Sequence, residues 1–184
     1  VSTIEIKGKI PFVKSVGMKL VLVDTPGPNN SRDKSHEEMT YKMIDNSEKS
    51  LVLYVMNGHQ LGINDEKIFL DYVCKSMKDG GKKARERFIF AVNKLDDFLP
   101  YAQNDGPNCI KNALEDVKTG LEDREIYNPN IFPVCSLPAL QKRAEMKGLR
   151  AKNLRNFVDL CEEFDVMHLE NYYEYNNLPL TVRD

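Results

Sequence analysis

Apolar and polar residues follow two different periods along the chain, and these periods divide it into strands and helices. Three continuous apolar runs, at 18–24 (MKLVLVD), 50–57 (SLVLYVMN) and 87–94 (RFIFAVNK), are typical of central strands covered on both faces. Residues 2–12 (STIEIKGKIPF) alternate between apolar and polar and predict a half-exposed edge strand. Residues 130–136 (NIFPVCS) predict a last, short strand.

Two segments between these strands have the spacing of amphipathic helices. Residues 64–77 begin with Asn64 as a helix cap and gather their apolar side chains on one face. Residues 109–121 place apolar side chains at i, i+3, i+4, i+7 and i+11. Strands that alternate with helices of this length predict a three-layer α/β fold, with a mostly parallel sheet and helices on both faces. In such folds the ligand binds at the carboxyl ends of the strands.

Composition and charge narrow the classes of protein. The chain has 184 residues, enough for one domain with a real core, and a formal net charge of -2. This charge argues against a nucleic-acid binder that relies on bulk positive charge. No apolar stretch reaches 18 residues, so no membrane span is predicted. The four cysteines are widely spaced and none lies within metal-ligand spacing of a histidine, which favours a reducing cytoplasmic location over a disulfide framework or a zinc site.

Polar residues or a glycine follow three of the predicted strands. The strand at 18–24 leads into D-T-P-G (24–27), the strand at 87–94 into N-K-L-D (93–96), and the last strand into Ser136 and Leu137. Each of these stretches is also typical of an ordinary turn. Their recurrence on successive strand ends favours a shared binding site instead.

D-x-x-G and N-K-x-D in this order resemble the P-loop GTPases. The resemblance implies that Asp24 holds Mg²⁺ through a water molecule, and that Gly27 approaches the γ-phosphate of GTP, so both are candidate catalytic residues. A glycine suits the second role because its backbone N–H can come close to a phosphate and its peptide can turn when the phosphate leaves.

The same resemblance assigns the base of GTP or GDP to the N-K-L-D motif. Asp96 would accept two hydrogen bonds from the N1–H and 2-amino groups of guanine, and Lys94 would lay its aliphatic stem across the base. Asn93 would tie neighbouring loops together. Ser136 and the backbone N–H of Leu137 would cover the guanine O6 side, although the family usually has a small residue where Leu137 stands.

Within that family, residues 1–145 resemble the large GTPase domain of the dynamin superfamily, especially its bacterial dynamin-like members. Pro28 stands where small regulatory GTPases carry a water-orienting glutamine, and dynamin-like enzymes share this departure. The polar loops at 28–36 and 96–108 flank the nucleotide face, which implies a homodimer of GTPase domains across that face. Residues 146–184 are predicted to form a helical extension leading toward a stalk.

The P-loop, G-x-x-x-x-G-K-[ST], has no match in these residues. Gly8-Lys9 and Gly81-Lys82 lack both the first glycine and the final serine or threonine. The resemblance implies that the P-loop and the first switch lie upstream of Val1. We therefore expect this chain alone to bind GTP poorly or not at all, and the intact protein to hydrolyse GTP with Mg²⁺ in the cytoplasm, at the periphery of a membrane that it remodels or in an assembly that it drives.

Other interpretations stay open on the sequence. A degenerate P-loop domain could act as a non-catalytic scaffold for protein interactions, and a GTPase of another branch would keep the chemistry with a different partner. The basic residues of 141–155 fit a solvated helix face or a contact with an anionic surface. A P-loop upstream of Val1 would favour the enzyme over the scaffold.

Overall fold

A computed structural model describes residues 8, 17, 20–25, 34–45, 51–58, 64–79, 87–96, 98, 102–145, 162 and 168–175. Within these residues, helices and strands alternate along the chain. In order they are helix α1 (Lys34–Asp45), strand β1 (Val52–Asn57), helix α2 (Asn64–Asp79), strand β2 (Phe88–Asn93), helix α3 (Ala102–Glu122), strand β3 (Asn130–Pro133), helix α4 (Ser136–Glu145) and a 3-10 helix (Leu169–Tyr175).

The three strands form one parallel sheet in the order β1-β2-β3. Asn57 is level with Asn93 between the first two strands, and Val92 is level with Pro133 between the last two. This sheet confirms the α/β class and the strands predicted at 50–57, 87–94 and 130–136. The last strand is shorter than predicted because the chain enters helix α4 at Ser136.

Both predicted helices are present. The helix predicted at 64–77 is α2, and the helix predicted at 109–121 is the second part of α3, which begins at Ala102. The loop expected at 96–108 is consequently shorter than the sequence indicated, because its second half is helical. In the other flanking loop, at 28–36, helix α1 starts at Lys34 and residues 28–33 lie outside the described residues.

The core lies on one face of the sheet. Alternate residues of the paired strands, such as Tyr54 and Phe90, turn their side chains toward this face, as a pleated strand requires. Helix α2 covers it, with the Phe69 ring centroid 5.4 Å from that of Tyr54. Helix α1 packs beside α2, where the rings of Tyr41 and Tyr72 stack at 4.0 Å. Helix α3 contributes a stripe of buried residues, namely Ile110, Ala113, Leu114, Val117 and Leu121.

The opposite face of the sheet is open at β1. Leu53 and Val55 point away from the core and expose 61% and 57% of their surface. The expectation of helices on both faces is therefore not met at this strand. The described strand β1 has the alternating burial of a half-covered strand, although its sequence is continuously apolar.

The prediction of a buried central strand at 18–24 is wrong for the part that the structure describes. Residues 20–25 have no regular secondary structure, and the side chains of Leu20 to Val23 are 53–76% exposed. A strand needs a neighbour that takes up its backbone hydrogen bonds, and the described sheet ends at β1 without reaching these residues. The edge strand predicted at 2–12 lies outside the described residues, apart from Gly8.

The 3-10 helix near the C-terminus packs against the same core. It contacts β3, and Tyr175 is buried with its hydroxyl donating a 2.6 Å hydrogen bond to Oε1 of Glu115 in α3. This part of the predicted C-terminal extension therefore lies against the sheet and α3. The side chains of 141–150 lie outside what the structure describes. None of the described helices is both long enough and apolar enough to cross a bilayer.

Candidate functional site at the carboxyl edge of the sheet

The carboxyl ends of the three strands bring the predicted base-reading residues together. We define the carboxyl edge as Asn57–Gly58 after β1, Asn93–Asp96 after β2, and Cys135–Leu137 after β3. Parallel pairing places these segments side by side, with Asn57 level with Asn93 and the Val134 N–H donating to the Val92 carbonyl at 2.9 Å. The edge therefore joins residues that are more than 40 positions apart in the chain.

Asn93 and Ser136 form a reciprocal pair of hydrogen bonds. The Asn93 Nδ2 donates to Ser136 Oγ at 2.9 Å, and the Ser136 backbone N–H donates to Asn93 Oδ1 at 3.0 Å. Both ends of the carboxamide are thus used, which fixes its orientation as well as its position. The loop after β2 is tied to the start of helix α4 by this one side chain, the role that the resemblance gives to Asn93.

Lys94 has a backbone conformation that non-glycine residues rarely adopt. Its φ of 64° lies in the left-handed region, where a side chain costs roughly 1–2 kcal/mol. Such residues are held in place by the structure on either side, here the hydrogen-bonded Asn93 and the fully buried Leu95. The chain turns sharply at Lys94, and the lysine side chain is left exposed at the edge.

Asp96 lies beside the buried thiol of Cys135. The pKa of Cys135 is raised from the usual 9.0 to about 12, mainly by burial and also by the nearby Asp96 carboxylate, while backbone N–H groups of Asp96 and Leu95 oppose the shift. The thiol remains protonated at neutral pH and shares a hydrogen bond with the Asp96 side chain. This contact helps to fix the half-buried carboxylate within the carboxyl edge.

The remaining predicted contacts come from the start of helix α4. Ser136 is its first residue, and Leu137 comes next with 58% of its surface exposed. In this first turn the Ser136 N–H bonds Asn93 and Pro138 has no N–H, so the donor that the turn can offer is the backbone N–H of Leu137. The Ala139 N–H donates to the Cys135 carbonyl at 3.1 Å, and this hydrogen bond connects the first turn of α4 to the preceding loop.

Sequence reasoning missed Gly58, which completes the edge from the β1 side. Its N–H donates to the backbone carbonyl of Asn93 at 2.8 Å, the residue whose side chain bonds Ser136. A Cβ at this position would lie 3.0 Å from Cδ2 of Leu95 and 3.2 Å from the Asn93 carbonyl oxygen. The sequence feature that could have indicated Gly58 is a glycine that immediately follows an apolar strand.

The phosphate side of the predicted site lies largely outside the described residues. Asp24 lies in the exposed segment 20–25 and belongs to none of the strands, and Gly27 lies outside the described residues. The described residues contain no group of three or more His, Cys, Asp or Glu side chains that could hold a metal ion.

Comparison of the chain with protein-family models, with curated proteins and with solved structures gives no match. The carboxyl edge offers a carboxylate acceptor at Asp96, an exposed aliphatic stem at Lys94 and the backbone N–H of Leu137 as a donor, held in one frame by Asn93 and Ser136. This set of groups suits a flat heterocycle that carries both donors and an acceptor on its edges.

Proposed function

We propose that this chain carries the guanine-reading part of a GTP-binding domain. The observation that supports the proposal is the reciprocal hydrogen bonding of Asn93 with Ser136, next to the Asp96 carboxylate. This arrangement holds two loops from different strands in a fixed relation before any ligand arrives. A preorganised frame reduces the entropy lost on binding, so its geometry contributes directly to affinity.

Guanine is the base that matches the groups of this frame. Its N1–H and 2-amino donors both face a carboxylate acceptor such as Asp96, whereas adenine has an acceptor at N1 and no 2-amino group. Its O6 is an acceptor and matches the backbone N–H of Leu137 at the start of α4. The aliphatic stem of Lys94 would pack on the face of the ring.

For the whole protein we propose GTP hydrolysis by a dynamin-like GTPase. This part of the proposal is supported by the D-T-P-G motif at 24–27 and by its order relative to N-K-L-D. Asp24 would contribute a carboxylate for Mg²⁺ through water, and Gly27 a close approach to the γ-phosphate. Assembly through the nucleotide face and action on a membrane belong to the same proposal.

The decisive experiment replaces the carboxylate of Asp96 with a carboxamide. We expect Asp96→Asn to weaken binding of guanine nucleotides on the order of 100-fold or more, because two charge-assisted hydrogen bonds are lost. The same variant should gain affinity for xanthine nucleotides, since the asparagine N–H can donate to the C2 carbonyl that replaces the amino group. Fluorescent GDP and XDP titrations would use the longest natural form of the protein beside the 184-residue chain.

The matched control is Asp123→Asn, the same substitution at a position in the turn after α3, away from the carboxyl edge. It should leave both affinities unchanged. Equal affinity of the unsubstituted protein for guanine and adenine nucleotides would contradict the proposal. So would an Asp96→Asn variant that keeps its preference for GDP. Submicromolar binding of a GTP analogue by the 184-residue chain would contradict only the expectation that further residues are needed for tight binding.

An interaction scaffold is the second candidate, and one observation favours it. Leu51, just before β1, and Leu53 and Val55 within it expose 57–72% of their surface, and β1 is the last strand on its side of the described sheet. An apolar edge strand of this kind can pair with another chain. The nucleotide titration separates the two functions, because a scaffold has no reason to distinguish GDP from ADP.

A further inference from the structure

We propose that Gly58 is a positioning residue for the base-reading loop. It belongs to neither predicted motif, and it comes after a strand to which the sequence assigned no ligand contact. The link between Gly58 and guanine binding rests on the proposed function. Its effect on the geometry of Asn93 and Ser136 does not depend on that function.

Gly58 touches the loop on both sides of its sharp turn. Its N–H donates to the Asn93 carbonyl at 2.8 Å, on the strand side of Lys94. Its α-carbon faces Leu95 on the far side, where an added Cβ would lie 3.0 Å from Leu95 Cδ2, closer than nine in ten real Cβ contacts. The same Cβ would lie 3.5 Å from Cε2 of Phe98, an ordinary van der Waals distance.

Neither of the close neighbours can move without disturbing the loop. Leu95 is fully buried in the core, so its side chain has little space into which to shift. The Asn93 carbonyl, 3.2 Å from the added Cβ, is backbone, and displacing it also displaces the carboxamide that bonds Ser136. The missing side chain at position 58 therefore sets how closely the end of β1 approaches the turn at Lys94.

A methyl group at position 58 should consequently loosen the Asn93–Ser136 link. We expect Gly58→Ala to accelerate hydrogen exchange of the Ser136 amide about tenfold, since this amide donates to Asn93 Oδ1. Guanine-nucleotide affinity should fall by a similar factor, through displacement of the loop and with Asp96 itself unchanged. Exchange is measured by NMR on the 184-residue chain, and affinity by titration of fluorescent GDP into the longest natural form.

A volume-neutral pair of substitutions separates positioning from a general loss of stability. Leu95→Val removes one methylene from the side chain that the new methyl approaches, so Gly58→Ala/Leu95→Val keeps the total volume constant. We expect the double variant to regain most of the protection at Ser136 that Gly58→Ala loses. Gly120→Ala is the matched control, because a Cβ there meets only Nη1 of Arg124 at 3.9 Å.

The possible results distinguish a failure of the positioning role of Gly58 from a failure of the proposed guanine binding. Unchanged exchange at Ser136 in Gly58→Ala would overturn the positioning role, as would uniform acceleration of exchange at Ser136 and at core amides such as that of Phe90. Faster exchange that is confined to the carboxyl edge and reversed by Leu95→Val supports it. If the unsubstituted protein binds no guanine nucleotide, the proposed function fails, and the exchange data still decide whether Gly58 positions the loop.

Discussion

Strand β2 and the segment 20–25 come from the same kind of sequence, an apolar run that leads into a short polar motif, yet they differ in structure. The β2 strand pairs on both edges and buries Phe88, Phe90 and Val92 completely. The segment 20–25 pairs with none of the described strands and exposes its apolar side chains. An apolar β-branched run therefore indicates a strand only where neighbouring backbone can complete its hydrogen bonds.

The two regions also differ in the surroundings of the polar motif that ends each apolar run. After β2, Asn93 and Asp96 have partners on the neighbouring loop, Ser136 and Cys135. After the exposed segment, Asp24 is a carboxylate outside the sheet. The N-K-L-D motif therefore has the supporting contacts that hold a functional side chain in place, whereas the described residues provide no such contact for Asp24.

The largest expected effect tests whether the apolar run of β2 contributes to the core. Phe90→Ala should lower the free energy of unfolding by about 3–5 kcal/mol, because it empties a fully buried site whose ring lies 6.0 Å from that of Tyr54. Leu22→Ala should change it by about 0.5 kcal/mol or less, since Leu22 is 76% exposed. Urea unfolding followed by circular dichroism measures both. A large loss from Leu22→Ala would show that residues 20–23 are buried in solution.

A second, smaller effect compares the two motifs. Asn93→Ala should lower stability by about 1–3 kcal/mol, because two hydrogen bonds to Ser136 are lost. Asp24→Ala should stay within about 0.5 kcal/mol, as expected for a residue outside the sheet. The same urea titrations apply. Equal losses of stability in Asn93→Ala and Asp24→Ala would contradict the stabilising role of the hydrogen bonds between Asn93 and Ser136.

The smallest effect is a pH dependence that comes from the carboxyl edge. The Cys135 thiol, with its pKa of about 12, keeps its proton in the folded chain, whereas an unfolded thiol ionises near its usual pKa of 9.0. Its contribution to stability is therefore complete below pH 9 and declines as the pH rises from about 9 toward 12. Unfolding midpoints at about pH 8, 9 and 10 should show this decline, and Cys135→Ser should reduce its slope.

The buried thiol of Cys74, whose pKa burial raises to about 11, contributes in the same direction. Some decline should therefore remain in the Cys135→Ser variant. Leu22→Ala, which lies outside the carboxyl edge, should retain the full slope. An identical slope in the Cys135→Ser variant and the unsubstituted chain would contradict the assignment of the effect to this thiol.

The elements with a clear local period could be predicted from the sequence. Helix α2 and the second part of α3 follow their apolar stripes, and β1 and β2 follow their β-branched runs to within two residues. The N-K-L-D motif also indicated which residues stand at the end of β2. These features depend on residues close together in the chain, which is why local patterns predict them.

The features that depend on distant residues could not be predicted. The exposure of Leu53 and Val55 depends on which elements cover the sheet, and the apolar run of β1 does not specify them. The importance of Gly58 depends on the close approach of Leu95, which lies far from it in the sequence. Glycines are common after strands, and only the packing distances distinguish this one.

The burial of Tyr175 has a consequence for the synthesis of the protein. The described sheet ends in sequence at Pro133, but the core includes Tyr175, about 40 residues further along, whose hydroxyl donates a hydrogen bond to Glu115 in α3. At a ribosomal rate of roughly 5–20 residues per second, this side chain emerges about 2–8 s after β3. During that interval the side of the core that the 3-10 helix covers remains accessible to chaperones and to other nascent chains.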